Sequence, residues 1–183
     1  IANCSNLKIN GNKCTLKIPD NNFGSDSMGM LCLGNIINGL EITGFIFDCN
    51  GLTMKDINKT SNHTIVYSPG SNNVEESKIS NVNINNNIFL ANGTIINNSD
   101  GGGDHILFIN PTKSENVYIE DNEFYDWGRW VYSVDLGGSG ERFYNYKFNR
   151  NKCIQSEKNV MSTGKYRGLG WIDFEARKCW TNL

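Results

Sequence analysis

A ten-residue pattern of alternating apolar and polar residues occurs six times along this chain, and it restricts the fold more than any other feature. In each window the third and fifth residues are apolar or aromatic, the fourth and sixth are mostly polar, and the tenth is Cys or Phe. Alternation with a period of two is typical of a β-strand with one buried face. The windows, numbered one to six, are residues 5–14, 38–47, 80–89, 115–124, 144–153 and 170–179.

The distances between the windows indicate stacked repeats. The separation of successive windows varies, so a constant strand pattern alternates with connections of different length. A period of some tens of residues is typical of units that bury their apolar faces against each other. A second strand supports this register, because 62–69 (NHTIVYSP) matches 104–111 (DHILFINP) at the same offset as windows two and three. Residues 29–35, 129–135 and 159–165 occupy the same place in their own repeats.

The seventh and eighth window positions predict a bend between two short strands. Four of the six seventh residues are Gly, Asn or Asp, which adopt left-handed conformations at low cost. The eighth residue is Asn in four windows, and Asn side chains that stack between neighbouring repeats can hydrogen-bond as a ladder.

These patterns predict an all-β fold, a right-handed parallel β-helix (solenoid) of about six coils forming a single domain over 1–183. Equivalent residues of neighbouring coils would then lie about 4.8 Å apart. A β-propeller needs four strands per blade, and a leucine-rich repeat needs a Leu framework and a helix, so both fit less well. Neither end shows the polar cap that a solenoid needs, so we expect a fragment of a longer chain.

Composition excludes several classes of function. The net charge is −2, which gives no bulk attraction to nucleic acid or to anionic membranes, and no apolar run approaches the roughly 20 residues of a membrane span. Cys14, Cys153 and Cys179 occupy the window position that holds Phe elsewhere, which favours buried free thiols and folding in a reducing cytoplasm. A disulfide between Cys153 and Cys179 in adjacent coils is the alternative.

Two strings, SNLKINGNKCTLKIP and NVYIEDNEF, the second followed by an aromatic residue and a Gly-rich turn, resemble coils of the pectate-lyase-like β-helix superfamily. The Asn-rich coils are most similar to bacteriophage tailspike proteins. This resemblance implies a homotrimer in a virion tail that binds and cleaves bacterial capsule or lipopolysaccharide, by hydrolysis or β-elimination, without a cofactor. The alternative is a non-catalytic adhesin or virion fibre segment. No catalytic motif matches residue for residue, so the resemblance transfers no active site.

Candidate catalytic residues come from the outward positions of windows four to six. If these windows stack, Tyr118, Glu120, Lys147, Asp173 and Glu175 lie on one grid, with Glu120 and Glu175 about 9–10 Å apart. An inverting glycosidase holds its two carboxyl groups roughly 6.5–9.5 Å apart, and Tyr118 or Lys147 could serve a lyase as base or charge stabiliser. The alternatives are cross-strand pairing on a solvated face, or a trimer interface.

His63 and His105, the two histidines of the chain, hold equivalent places at the start of matching strands. We expect them to be stacked neighbours, with Arg129 next in the column and Asp104 beside His105. Such a stripe would suit an acidic sugar or a proton transfer, and a metal only if both rings turned together, so we expect no metal site. The alternative is two exposed histidines at the strand ends.

An aromatic cluster in 123–146 is the remaining candidate for sugar binding. Aromatic faces stack on sugar rings, which makes Trp127 and Trp130 candidate substrate contacts. The alternative is that half of these rings belong to the core, and Tyr146, at a nominally inward position, is expected there. The cluster comprises Tyr125, Trp127, Trp130, Tyr132, Tyr144 and Tyr146.

Overall fold

Fifteen strands and no helix make up the described part of the chain in the computed structural model. The structure describes residues 1–17, 29–48, 63–67, 78–90, 105–109, 113–127, 130–135, 143–155, 170–175 and 180–181. The strands are β1 (Ala2–Asn10), β2 (Thr15–Lys17), β3 (Gly29–Thr43), β4 (Ile46–Asp48), β5 (His63–Tyr67), β6 (Lys78–Asn85), β7 (Ile88–Leu90), β8 (His105–Ile109), β9 (Lys113–Glu120), β10 (Glu123–Tyr125), β11 (Trp130–Asp135), β12 (Phe143–Asn149), β13 (Lys152–Ile154), β14 (Gly170–Glu175) and β15 (Trp180–Thr181).

The strands pair in three parallel stacks. Sheet A contains β1, the second half of β3, β6, β9, β12 and β15, and sheet B contains β2, β4, β7, β10 and β13. Sheet C contains the first half of β3, β5, β8, β11 and β14. Every strand pair among the described residues is parallel. The fold class is therefore all-β, with parallel sheets that one bent strand, β3, joins.

Windows one to five stack in sheet A with the predicted register. The third residues follow one another from strand to strand, as the alignment of the windows predicts: Leu7 lies beside Leu40, then come Val82, Val117 and Tyr146. In windows two to five these third residues are buried, and those of windows two to four are almost fully enclosed. Alternation within each strand therefore directs the fourth and sixth residues outward.

All three sheets contribute to one hydrophobic core. Sheet A provides Ile42 and Ile84, sheet C provides Ile65 and Leu107, and sheet B provides the phenylalanines at the tenth window position. The rings of Phe47, Phe89 and Phe124 stack on each other with centroids 5.0 and 4.8 Å apart. Offset aromatic stacking at this spacing adds to the burial of the rings themselves. The sheets thus share one apolar interior.

The predicted asparagine ladder is confirmed for windows three to five, at the bend between sheets A and B. Asn87, Asn122 and Asn151 each accept a hydrogen bond from the backbone N–H of the eighth residue in the preceding window, at 3.0 Å in all three cases. Each side-chain amide also donates to the carbonyl of the fifth residue in that window, at 2.8–3.0 Å. An amide side chain supplies, on two separate atoms, both the donor and the acceptor that this buried bend requires.

Left-handed residues also occur at the predicted seventh position of this bend. Gly44, Asn86 and Asp121 have φ between 52° and 73°, and Arg150, whose residue type did not predict it, has φ 53°. Window one differs, because the positive φ values at its bend fall on Asn12 and Lys13 and not on Gly11. Its turn is therefore longer than in the other windows.

The longer turn in window one places Cys14 outside the core. Leu16, two residues later, pairs with Phe47 in sheet B, and Cys14 is exposed in the turn. The ring of Phe45 packs against this turn, since a Cβ added to Gly11 would lie 2.5 Å from its Cδ1. The prediction of a buried thiol is wrong for Cys14. Cys153 does pair with Phe124 and is half-buried, whereas Cys179 lies outside the described residues.

Window six does not stack on window five. Its strand β14 pairs with β11 in sheet C, and the neighbour of β12 in sheet A is β15. The period-2 pattern does not distinguish sheet A from sheet C, because strands of all three sheets alternate in the same way. Residues 159–165, which we assigned to the place that β14 holds, lie outside the described residues. The outward grid of windows four to six therefore does not form.

Candidate functional site

The candidate site is the outer face of sheet A, defined by the outward residues of windows one to five and the asparagines beside them. Its side chains are mostly amides, hydroxyls and charged groups. Window four contributes Tyr118 and Glu120, and window five contributes Lys147 and Asn149, which are their direct neighbours in register. The outward residues are Lys8, Asn10, Glu41, Thr43, Asn83, Asn85, Tyr118, Glu120, Lys147 and Asn149.

A second asparagine ladder runs along one side of this face. Asn81 donates to the side chain of Asn38 at 2.9 Å, Asn116 donates to Asn81 at 2.8 Å, and Asn145 donates to Asn116 at 2.8 Å. We call these four residues the outer ladder. All four are solvent-accessible, so the outer ladder presents amide groups to the solvent at the spacing of the strands.

Sequence reasoning missed the outer ladder although its signal was present. The second window residue is Asn in four of six windows and Gly in another. The structure gives Asn6, Gly39, Asn81, Asn116 and Asn145 positive φ values of 50–79°. This is the preference that identified the bend at the seventh position.

Tyr118 and Lys147 form the centre of the face. The ammonium of Lys147 lies 4.9 Å from the centroid of the Tyr118 ring, within the range of a cation–π contact. The Tyr118 hydroxyl accepts a hydrogen bond from Asn145 at 2.7 Å. One side of the ring is therefore covered by Lys147, and its hydroxyl is tied to the outer ladder.

The carboxylates of window four are paired with cations of window five. Arg150 binds Asp121 through two bonds of 2.7 Å and lies 3.8 Å from Glu120, which also accepts a hydrogen bond from Asn149 at 3.1 Å. The hydrogen bonds from Arg150 lower the pKa of the Asp121 carboxyl and raise that of the guanidinium. These exposed pairs link neighbouring windows, and the pair with Arg150 holds the Asp121 carboxylate in its charged form.

A similar arrangement lies on sheet B. Glu123 accepts hydrogen bonds from the Tyr125 hydroxyl and, at 3.2 Å, from Lys152, whose ammonium lies 5.5 Å from the Tyr125 ring centroid. The hydrogen bond from Tyr125, with that from Lys152, lowers the pKa of the Glu123 carboxyl. Hydrogen bonds to Tyr125 and Glu123 raise the pKa of Lys152.

The structure separates the predicted catalytic carboxylates. Glu120 lies in sheet A, whereas Asp173 and Glu175 lie in sheet C, where they pair in register with Ser133 and Asp135. The prediction that Glu120 and Glu175 share a column is therefore wrong. The side chains of Asp173 and Glu175 are outside the described residues, so their roles in catalysis stay predictions.

The histidine stripe is described only through the backbone. The pairing of β5 with β8 keeps the predicted offset from Ile65 and Leu107 to Tyr67 and Ile109. His63 and His105 begin these two strands, and their side chains lie outside the described residues. Trp130, and not Arg129, pairs with His105, so the column assignment of Arg129 is wrong by one residue. Arg129 and Asp104 themselves lie outside the described residues.

Several aromatic candidates belong to the core. Trp127 is 4% exposed, and Tyr132 and Tyr146 are also buried. Trp127 is therefore not an accessible surface for a sugar, and the expectation that Tyr146 is a core residue is confirmed. Burial raises the pKa of Tyr132 well above its usual value. The side chains of Trp130 and Tyr144 lie outside the described residues.

Other kinds of site find no support in the described part of the chain. It contains no group of three or more His, Cys, Asp or Glu residues that could hold a metal ion. None of its secondary structure is a helix long and apolar enough to cross a membrane. Cys4, Cys14 and Cys153 carry free thiols, and burial raises the pKa of Cys153 to about 11.

Comparison of the chain with protein-family models, with curated proteins and with solved structures gave no match.

Proposed function

We propose that this chain is a segment of a right-handed parallel β-helix that binds a bacterial surface polysaccharide, capsule or lipopolysaccharide, through the outer face of sheet A. Three parallel sheets around one core support the β-helix. Connections between parallel strands of one sheet are right-handed in about 98% of cases, which supports the hand. The strands of sheet A, one from each coil, then correspond to about six coils.

The outer ladder is the observation that carries this proposal. Asn81 uses one N–H toward Asn38 and one oxygen lone pair toward Asn116, so a second N–H and a second lone pair remain. A sugar hydroxyl both donates and accepts a hydrogen bond, and the exposed Asn81 amide can meet both needs. Hydrogen bonds within the outer ladder fix the amide planes, so these side chains lose less conformational entropy when a ligand binds.

A binding assay with matched variants tests the proposal. The protein is incubated with a panel of capsular and O-antigen polysaccharides, and retention is measured by affinity electrophoresis. Asn116→Gly removes an amide but keeps the left-handed backbone, and we expect it to weaken binding about twofold to tenfold, as the loss of one or two neutral hydrogen bonds predicts. Asn86→Gly is the control, since Asn86 has a similar φ of 52° but lies at the bend.

Retention of no polysaccharide would refute the proposed function. Equal binding by Asn116→Gly and the unsubstituted protein would show that the outer ladder is not the contact surface.

Cleavage of the bound chain stays a prediction of the family resemblance, and the same incubation tests it. Shortened polysaccharide indicates an enzyme, and absorbance from an unsaturated uronate identifies elimination rather than hydrolysis. Loss of cleavage in Glu120→Gln with retained binding would assign a catalytic role to Glu120.

The second candidate function is binding without chemistry, in an adhesin or virion fibre. The observation that favours it is the pairing of Asp121 and Glu123 with Arg150 and Lys152 of window five. Hydrogen bonds lower the pKa of both carboxyls, so these groups are held charged and are poor general acids. The resemblance also predicts a homotrimer in a virion tail, which sedimentation of the protein tests.

A further inference from the structure

Lys147 differs from the other cations of sheet A whose side chains are described. Lys8 lies 2.9 Å from Glu41, and Lys78 lies 3.9 Å from Glu115. Lys147 is exposed, and no carboxylate in the described part of the chain lies within the 4.0 Å of an ion pair. Its ammonium can therefore form an ion pair with an anionic ligand at this part of the face.

The surroundings of Lys147 position this charge. The Tyr118 ring holds the ammonium 4.9 Å from its centroid, and the bond from Asn145 to the Tyr118 hydroxyl fixes the ring. Glu120, the nearest outward carboxylate on the adjacent strand, is held by Asn149 at 3.1 Å and lies 3.8 Å from Arg150. These contacts satisfy Glu120 and leave the three N–H donors of Lys147 without a carboxylate.

Resting on the proposed function, we infer that Lys147, supported by Tyr118, is a subsite for an anionic group of the bound polysaccharide, a carboxylate or a sulfate. The amides of Asn145 and Asn149 flank Lys147 on the same strand, and they provide donors and acceptors for the hydroxyls of the same sugar unit. A charged hydrogen bond between ammonium and anion is stronger than the amide contacts around it. The subsite therefore selects acidic over neutral glycans.

The experiment compares chemically matched polymers. The probes are polygalacturonate, the same polymer after reduction of its carboxyl groups to alcohols, dextran and dextran sulfate. We expect the protein to retain polygalacturonate, dextran sulfate or both more strongly than the neutral counterpart. The difference between the two acidic polymers identifies the anion as a carboxylate or a sulfate.

Variants assign the preference to Lys147. Lys147→Gln should reduce the affinity for the preferred acidic polymer roughly fivefold, because the lost contact lies between an exposed ion pair and a charged hydrogen bond in strength. The affinity for neutral glycans should not change. Lys17→Gln makes the same change in net charge on sheet B and should have no effect. Tyr118→Phe keeps the ring and should keep the preference, whereas Tyr118→Leu should lower it.

The outcomes separate this inference from the proposed function. Binding of neutral members of the capsule and O-antigen panel alone, or an unchanged acidic preference in Lys147→Gln, would overturn the subsite and leave glycan binding in place. Failure to retain any polysaccharide would overturn both. Circular dichroism of each variant confirms that the fold is intact.

Discussion

Replacing Asn122 with Ala should destabilise the fold more than any other single amide substitution in the described residues. Asn122 is 1% exposed, and its oxygen accepts bonds from the backbone and side-chain nitrogens of Asn87 at 3.0 and 3.1 Å. Its nitrogen donates to the carbonyls of Ile84 and Glu120 at 2.8 and 2.9 Å. The substitution removes all of these bonds at one buried bend.

The magnitude follows from the groups left without partners. The N–H of Asn87 and the carbonyl of Ile84 are buried, and each unsatisfied group costs about 1–3 kcal/mol. Water can reach the partly buried carbonyl of Glu120, so its contribution is small. We expect the free energy of unfolding to fall by about 2–6 kcal/mol. For a chain of 183 residues this corresponds to a fall in Tm of roughly 4–24 °C.

Urea unfolding followed by circular dichroism measures the effect. The matched control is Asn149→Ala, which removes an exposed amide with one bond to Glu120 and should cost roughly 0.5 kcal/mol or less. The reasoning is refuted if Asn122→Ala costs no more than this control. Such a result would mean that the ladder only accompanies the bend and does not stabilise it.

Three further perturbations test other contacts. Gly11→Ala places a Cβ 2.5 Å from the Phe45 ring and should cost about 1–3 kcal/mol, and the cost should shrink in a Phe45→Ala background. Arg150→Gln should lower Tm slightly, and less in 1 M salt. Arg150 holds the pKa of Asp121 in the folded protein below 3.8. The stability that the ion pair provides is therefore fully present above the pKa of the unfolded chain, and it should disappear as the pH falls through the pKa of the folded protein. Thermal melts of both proteins at pH 7 and pH 2 can check this. Cys153, with a pKa of about 11, should react slowly with iodoacetamide at pH 8 and rapidly in urea, as mass spectrometry of tryptic peptides would show.

The sequence predicted the parts of the fold that depend on local chemistry. Asn at the eighth window position predicted the asparagine ladder at the bend between sheets A and B, because an amide can satisfy both a backbone N–H and a backbone carbonyl at a buried bend. Apolar third and fifth residues predicted the core-facing side of sheet A. The offsets between windows then followed from aligning chemically equivalent residues, and the strand register agrees for windows one to five.

Errors occurred where one local pattern fits two places in the fold. Residues 170–175 alternate as a strand of either sheet A or sheet C would, and only the bend after a strand distinguishes the two. Ala176 and Arg177 stand where windows three to five have a left-handed residue and a ladder Asn, which is a signal against sheet A. Trp127 shows a different limit, since composition alone cannot distinguish a ring that packs in the core from one that meets a ligand.

The constant windows and variable connections also affect how this chain folds and how it tolerates change. The separation of paired residues along the chain is shortest between His105 and Trp130 and reaches its longest value between Ile46 and Ile88. Each new strand therefore closes a loop of comparable length onto its predecessor, and the entropy of closure grows only slowly with that length. A peptide inserted between sheets B and C should consequently cost little stability, whereas a single insertion inside a window would misalign both ladders and the phenylalanine stack at once. The connections are the positions at which new binding specificity can be added without disturbing the scaffold.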